Sequence, residues 1–223
     1  MIKHLIFDFD GVIIDSEILA ARSFVKILSD MNIYYDENSF ASKYAGHKMI
    51  TVVENLSKKY DIGDKKIFLN KVMKHVSKIF SNELKPVTNI GYFLKKNKLT
   101  RYIASNSGKQ RIIKGLSFLS LESFFNYDKI YTFEMVKNAK PSPDVYIKVI
   151  KDNNLNENEV LVLEDSIAGV KAAKGANLSV IGITAGSHWV NRSSKELLEA
   201  GSIAIIDNYL NFDILLKNLN RAE

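Results

Sequence analysis

The chain has 223 residues, of which 46% are hydrophobic and 25% are charged, as is usual for a folded domain. It contains no cysteine, which excludes disulfides, thiolate catalysis and a thiolate zinc site. The formal net charge of +6 comes from scattered lysines rather than from one basic cluster, so it does not indicate a nucleic-acid partner.

The first predicted element is a β-strand at the N-terminus. Its apolar stretch is interrupted by Asp8 and Asp10, so we interpret it as a strand and not as a signal peptide. No run in the chain approaches the roughly 18 apolar residues of a membrane span. With the absence of cysteine, this predicts a cytoplasmic protein that does not bind a membrane.

Residues 16–83 show helical periodicity and no convincing strand. From Leu99 onward, strands and helices alternate, which is typical of a parallel sheet built from βα units. The predicted strands are Ile2–Phe9, Arg101–Ala104, Lys129–Thr132, Val160–Leu163, Ser179–Ile183 and Ile203–Ile206. The predicted helices of this part are Gln110–Leu116, Pro143–Asn153, Ile167–Lys174, Ser194–Glu199 and Phe212–Asn218.

These elements predict an α/β fold with a Rossmann-like parallel sheet core flanked by helices and an inserted α-helical cap domain. We expect residues 1–15 and 84–223 to form the core and residues 16–83 to form the cap. Because the insertion follows the first strand directly, the cap should cover the crevice at the carboxyl ends of the strands.

Acidic side chains follow two of the apolar strands, at the point where each strand ends. Asp8 and Asp10 follow the first strand, and Glu164 and Asp165 follow a later one. The carboxyl ends of parallel strands meet at one edge of a sheet, so we expect these carboxylates to converge. Crowded carboxylates repel each other unless a cation joins them. The sequence therefore predicts a metal site, for which Mg²⁺ is the best candidate.

The spacing of Asp8 and Asp10 suits phosphoryl transfer. Residues two apart on an extended chain point the same way, and Gly11 then allows a sharp turn and close approach to a ligand. One carboxylate can attack phosphorus, and its neighbour can donate a proton to the leaving oxygen and later activate water.

Two further segments carry groups that suit a phosphate ester. Lys140 precedes a proline that stiffens its loop, and its charge could offset that of a phosphoryl group. Ser105 and Asn106 end a predicted strand just before a helix, where hydroxyl and backbone N–H groups can hold phosphate oxygens. Either segment alone would be ordinary surface structure.

The four segments, in this order, resemble the four motifs of the haloacid dehalogenase superfamily, within it the subfamily IA of phosphatases and β-phosphoglucomutase-like enzymes. The resemblance spans nearly the whole chain. It implies a phosphoric monoester hydrolase in which Asp8 is the nucleophile and a metal ligand. It also implies that Asp10 is the general acid/base and that the backbone carbonyl of Asp10 binds the metal. It further implies that Ser105 and Asn106 bind the phosphoryl group, Lys140 neutralises it, and Asp165 binds Mg²⁺ with Glu164 as a direct or water-mediated ligand.

The expected activity is hydrolysis of a small phosphorylated metabolite, a sugar phosphate or polyol phosphate, through an aspartyl-phosphate. The alternatives are a sugar phosphomutase of the β-phosphoglucomutase type and, less favoured, a non-catalytic binding protein. A β-phosphoglucomutase usually carries a cap histidine shortly after the first motif and an arginine just after a cap glycine. Neither stands at these places here, where the chain reads Ile18-Leu19-Ala20-Ala21 and Gly46-His47-Lys48-Met49, which favours the hydrolase. His47 or Lys48 could substitute for them. We expect a monomer or weak dimer. The cap residues expected to set specificity are Glu17, Gly46, His47 and Lys48.

Overall fold

A computed structural model describes residues 1–44 and 47–220. Its strands are β1 (His4–Phe7), β2 (Thr100–Ser105), β3 (Ile130–Thr132), β4 (Val160–Glu164), β5 (Ser179–Ile183) and β6 (Ala204–Ile206). Its α-helices are α1 (Glu17–Ser29), α2 (Glu37–Tyr44), α3 (Met49–Ser57), α4 (Lys65–Glu83), α5 (Ile90–Lys96), α6 (Lys109–Phe118), α7 (Asp144–Asp152), α8 (Ile167–Gly175), α9 (Lys195–Ala200) and α10 (Phe212–Leu219).

The six strands form one parallel sheet in the order β3-β2-β1-β4-β5-β6. Side chains alternate across β1, so Leu5 and Phe7 pack with helices on one face while Ile6 packs on the other. The helices α5, α6 and α10 cover the first face, and α7, α8 and α9 cover the second. The Rossmann-like α/β fold class predicted from the sequence is therefore confirmed.

The helices α1 to α4 form a separate helical unit, defined here as residues 17–83. They enclose their own apolar cluster, which includes Phe24, Phe40, Val53 and Phe68. The rings of Phe24 and Phe40 stack with their centroids 5.4 Å apart. The helical unit therefore has an apolar interior of its own, while Leu19 of α1 and Ile79 of α4 pack into the cluster on the first face of the sheet.

Two chain segments connect the helical unit to the sheet, and they lie side by side. The amide of Asp15 donates to the carbonyl of Lys85 at 2.9 Å, and the amide of Val87 donates to the carbonyl of Ile13 at 3.0 Å. Ile14 and Pro86 form an isolated antiparallel bridge between the same segments. This pairing holds the helical unit beside the carboxyl end of β1.

The predicted strands all form, with small differences at their ends. The first strand is shorter than predicted and ends at Phe7, so Asp8 and Asp10 lie in the turn that follows. The helix predicted to begin at Pro143 begins at Asp144. Across residues 1–44 and 47–220, no helix has both the length and the apolar character needed to cross a membrane.

Candidate active site

The sheet brings the acidic groups of β1 and β4 together. Phe7, the last residue of β1, pairs with Leu163 of β4, and the amide of Asp8 continues the ladder by donating to the Leu163 carbonyl at 2.9 Å. Asp8, Glu164 and Asp165 are all buried, and each offers a carboxylate oxygen within 4.8 Å of the others. These three residues are called the acidic cluster below.

Lys140 enters the acidic cluster from the loop before α7. Its Nζ donates to Asp8 Oδ1 at 2.8 Å, to Glu164 Oε1 at 2.6 Å and to the Ala104 carbonyl at 2.7 Å. Burial alone would lower the pKa of Lys140, but attraction to Asp8 and Glu164 outweighs burial and raises that pKa well above its usual range. The ammonium is therefore charged and has a carbonyl or carboxylate for each of its three protons.

Asn106 holds the backbone of Lys140 in place. Its side-chain Oδ1 accepts from the Lys140 amide at 3.0 Å, and its Nδ2 donates to the Lys140 carbonyl at 3.2 Å. The oxygen and one N–H of the Asn106 side-chain amide are thus used by Lys140, so its second side-chain N–H and its backbone N–H are the donors that could meet a phosphoryl oxygen. Ser105 is buried at the end of β2, and its Oγ accepts from the Ser107 amide at 3.1 Å.

The acidic cluster carries more negative charge than Lys140 can balance. Burial, together with the neighbouring charges of Glu164 and Asp165, raises the pKa of Asp8 well above its ordinary value although Lys140 opposes the shift. Burial also raises the pKa of Asp165, and repulsion by Glu164 and Asp10 adds to the effect. A divalent cation would remove this repulsion, so the donor set fits a hard metal ion such as Mg²⁺.

Glu164 differs from the two aspartates because both of its oxygens already have partners. Its Oε1 accepts from Lys140 and from the Tyr146 hydroxyl at 2.8 Å, and its Oε2 accepts from the Ser166 hydroxyl at 3.1 Å. Gly169 allows this approach of α8, since a Cβ there would lie 1.8 Å from Glu164 Oε1. Glu164 is therefore better placed to hold a metal-bound water than to coordinate the metal directly.

The carboxylate of Asp10 lies outside the acidic cluster. It accepts hydrogen bonds from the hydroxyls of Ser16 and Ser107, and Oδ1 accepts from Arg111 Nη2 at 2.7 Å. Burial alone would raise the pKa of Asp10, but Arg111 and these hydroxyls outweigh burial and lower it. The predicted contribution of Asp10 to a metal is through its backbone carbonyl and remains a prediction.

Gly11 makes the contact between this turn and the acidic cluster possible. Its φ is +78°, which is favourable only for glycine, and a Cβ at this position would lie 1.8 Å from Asp165 Oδ2. Any side chain would therefore displace the carboxylate of Asp165.

His188 also contacts the acidic cluster. Its ring is buried, and Nε2 lies 3.0 Å from Asp165 Oδ2. Burial lowers the pKa of His188, so the neutral imidazole is favoured. The loop that carries His188 is held by the helical unit, because the Ser42 hydroxyl donates to the Val190 carbonyl at 2.8 Å.

A cavity of about 470 Å³ opens onto these groups between the sheet and the helical unit. Glu17, His47 and Lys48 line it from the helical unit, opposite the motif residues. Gly46, the fourth residue expected to set specificity, lies outside the described residues. The cavity is also lined by Asp8, Asp10, Ser16, Ala20, Met49, Val76, Ser105, Asn106, Ser107, Gly108, Arg111, Lys140, Asp165, Ser166 and Ala168.

Sequence reasoning did not identify Arg111, Ser107, Ser16 or Tyr146 as site residues. Arg111 lies in the first turns of α6, six residues after Ser105, and such a position faces the same edge of the sheet. One sequence signal could have identified Arg111. It is a basic residue in the first turns of a helix, and that helix follows a strand whose end is a candidate phosphate-binding site. Tyr146 carries no comparable signal, because its contact with Glu164 depends on how α7 packs.

Comparison with known proteins gives a consistent family. Residues 5–183 match the family model of the haloacid dehalogenase-like hydrolases. The phosphorylated carbohydrates phosphatase of Thermotoga maritima is 30% identical over 92% of this chain and 94% of its own length. The 6-phosphogluconate phosphatase of Escherichia coli is 23% identical over 84% of this chain and 85% of its own length.

Two solved structures are similar over almost their whole length. A haloacid dehalogenase-like protein of unknown function from Agrobacterium tumefaciens has a TM-score of 0.91 at 24% identity, covering 99% of this chain and all of its own, which supports the fold alone. A candidate β-phosphoglucomutase from Thermotoga maritima has a TM-score of 0.78 at 27% identity and covers 97% of this chain and 99% of its own.

Proposed function

This chain belongs to the haloacid dehalogenase-like hydrolase family and is a phosphatase-type enzyme, and we propose that it hydrolyses a small phosphorylated sugar or polyol with the help of Mg²⁺. The observation that carries this proposal is the acidic cluster, in which Asp8 is held against Lys140 at 2.8 Å beside the metal-capable oxygens of Asp165. Phosphoryl transfer through a carboxylate uses that carboxylate as the nucleophile, and positive charge from a metal ion or a lysine stabilises the transferred group.

Asp8 and Asp165 would coordinate the ion, and Glu164 would hold a water of its shell. When bound, Mg²⁺ supplies positive charge to the phosphoryl oxygens and lowers the repulsion between the phosphate and the attacking carboxylate. Lys140 would supply a second positive charge beside Asp8. Ser105 and the backbone N–H of Asn106 would orient the remaining phosphoryl oxygens.

Asp8 would act as the nucleophile. One of its carboxylate oxygens attacks phosphorus, the bond from phosphorus to the ester oxygen breaks, and Asp10 gives that oxygen a proton. Asp10 then takes a proton from water, and the water oxygen attacks the aspartyl-phosphate to release phosphate and restore Asp8. Its hydrogen bonds hold Asp10 ionised, which is the form the second step needs, so the first step requires Asp10 to gain a proton beforehand.

The helical unit would act as the cap of this site, dividing the chain into a core of residues 1–15 and 84–223 and a cap of residues 16–83. It closes the cavity on the side opposite the acidic cluster and would keep bulk water away from the leaving group. The relative that acts on phosphorylated carbohydrates supports a substrate of that size and polarity.

The phosphomutase alternative has its own support in the similarity to a candidate β-phosphoglucomutase. A mutase and a phosphatase share the first chemical step and differ in whether water or a sugar hydroxyl receives the phosphoryl group. Incubation with β-glucose 1-phosphate separates them. Release of inorganic phosphate supports the phosphatase, whereas glucose 6-phosphate formed without phosphate release supports the mutase.

The proposal is tested by the hydrolysis of p-nitrophenyl phosphate. We expect turnover that depends on Mg²⁺ and falls about 10⁴-fold or more in Asp8→Asn, because the substitution removes the nucleophile while preserving shape. The exposed Asp128→Asn is the matched control and should keep full activity. Equal activity in Asp8→Asn and the wild type would reject Asp8 as the nucleophile.

A further inference from the structure

Arg111 lies at the junction of the sheet and the helical unit, on the wall of the 470 Å³ cavity. Its guanidinium carbon lies 4.4 Å from the ring centroid of Phe80, which belongs to α4. Its Nη2 donates to Asp10 Oδ1 at 2.7 Å. Aromatic stacking on one side and an ion pair on the other fix the position of the guanidinium.

Most of the hydrogen-bonding capacity of Arg111 is not used within the described part of the chain. An arginine has five N–H donors, and the bond to Asp10 is the one hydrogen bond that this guanidinium makes to residues 1–44 and 47–220. The side chain is 36% exposed, so the remaining donors are accessible from the cavity. They form a planar fork that matches the two oxygens of a carboxylate.

The contact with Asp10 indicates which part of a substrate Arg111 would meet. In the proposed function, Asp10 gives its proton to the ester oxygen, so a group bound to Asp10 would lie near that oxygen, on the leaving-group side of the phosphorus. Lys140, Ser105 and the metal would already serve the phosphoryl group. Lys48 is a second cation on the wall of the same cavity, and it makes no ion pair within the described residues.

We propose that Arg111 is a specificity-determining residue that binds a carboxylate on the leaving group, so that the preferred substrates are phosphorylated sugar acids. This inference rests on the proposed function. A carboxylate fits better than a second phosphate, because Arg111 already shares its single positive charge with Asp10 and Glu17 adds negative charge to the same cavity. A sugar hydroxyl in place of the carboxylate would form weaker hydrogen bonds to the same donors.

The test compares matched substrates that differ in one group, a carboxylate or a CH₂OH. The pairs are 6-phosphogluconate with glucitol 6-phosphate, and 3-phosphoglycerate with glycerol 3-phosphate. For each enzyme, the ratio of kcat/KM within a pair measures the preference for the carboxylate. We expect the wild type to favour the carboxylate about 10- to 100-fold in at least one pair, the range for a hydrogen bond to a charged group.

Arg111→Gln should lower this ratio by about tenfold or more, and Arg111→Lys, which keeps the charge but not the fork, should retain part of it. The matched control is Lys114→Gln, which removes an exposed positive charge from the same helix and should leave the ratio unchanged. Thermal unfolding of each variant, compared with the wild type, checks that the protein is folded.

Three outcomes would overturn the inference. The wild type could show no preference in either pair, Arg111→Gln could slow both members of a pair equally, or fructose 1,6-bisphosphate could have a higher kcat/KM than the carboxylate substrates. Equal slowing would make Arg111 a positioning residue for Asp10. Absence of Mg²⁺-dependent turnover of any phosphate ester would instead reject the proposed function, and this inference with it.

Discussion

The acidic cluster and the cavity wall of the helical unit differ in how their charged groups are held. Lys140 is buried and donates to three fixed acceptors, and Glu164 accepts from three groups on both oxygens. His47 and Lys48, across the cavity, are exposed. Groups that perform chemistry must be held to a fraction of an ångström, and a rigid group that selects a substrate is held in the same way. We therefore expect catalysis at the sheet edge, and we expect the contacts that select the substrate to come from Arg111 at its border and from the exposed side chains of the facing wall.

Stability is also divided between the two regions. The sheet edge places buried charges that repel each other, so it costs stability. The helical unit instead packs aromatic rings against each other. The ring centroid of Phe40 lies 5.4 Å from that of Phe24 and 5.4 Å from that of Tyr35. The cost of the buried charges at the sheet edge is thus offset by apolar packing in the helical unit. Substitutions in the two regions should therefore have different effects on stability and activity.

The largest effect is expected at Lys140. Lys140→Met leaves Asp8 and Glu164 buried without their cation, so we expect the free energy of unfolding to fall by about 3–5 kcal/mol in the absence of metal. Denaturant unfolding measures this change. Lys148→Met, which removes a more exposed ion pair with Asp152, is the control and should change stability by no more than about 0.5 kcal/mol. Equal effects of the two substitutions would show that the buried network is not held as described.

The second-largest effect is expected on stability, in how the stabilisation by Mg²⁺ depends on pH. Because the pKa values of Asp8 and Asp165 are raised, the metal-free folded state binds more protons than the unfolded chain above the ordinary aspartate value of 3.8. Stability without metal should therefore fall as the pH rises from that value through the raised pKa values. Mg²⁺ holds the carboxylates ionised, so its stabilisation should increase over the same range and reach about 2.7 kcal/mol at 100 times its Kd.

Thermal unfolding with and without Mg²⁺, followed from pH about 5 to about 8, measures this dependence. Sodium chloride at equal ionic strength is the control, because general screening does not require the acidic cluster. A stabilisation by Mg²⁺ that does not vary with pH, or that survives in Asp165→Asn, would mean that the ion binds elsewhere.

The smallest effect is expected on the helical wall. Lys48→Gln changes an exposed side chain that does not touch the acidic cluster, so kcat/KM for p-nitrophenyl phosphate should change by less than about threefold. The same substitution should have a larger effect on kcat/KM for a sugar phosphate, whose leaving group reaches this wall. A loss of activity on the aryl phosphate as large as that on the sugar phosphate would remove the distinction between the two regions.

The sheet edge could be predicted from the sequence because its geometry follows from the strands. Parallel strands end at one edge, so a carboxylate after β1 and another after β4 are neighbours once these two strands pair, as they do here. Asp8 and Asp165 are together for this reason, and Lys140 joins them from the loop before α7. The separate helical segment was predictable too, since its periodicity contains no strand. The roles of these residues in catalysis remain predictions.

The other contacts of the site could not be predicted, because they depend on tertiary packing that no local sequence pattern indicates. Tyr146 meets Glu164 because α7 lies against the sheet, and His188 meets Asp165 because the loop after β5 folds back. Arg111 was not predicted because its position in the site depends on two contacts that are distant in the chain. It donates to Asp10 and packs against the ring of Phe80 from α4. Contacts between elements far apart in the chain are fixed by tertiary structure.

The paired connecting segments have a mechanical consequence. A domain joined by two independent tethers could twist and slide as well as rotate, but hydrogen bonds at Asp15 and Val87 make the two tethers a single ribbon. A two-stranded ribbon bends out of its own plane far more easily than within that plane. The helical unit would therefore rotate as a rigid body about one axis. We therefore expect any opening of the cavity to follow this single axis and to widen the same side of the cavity each time.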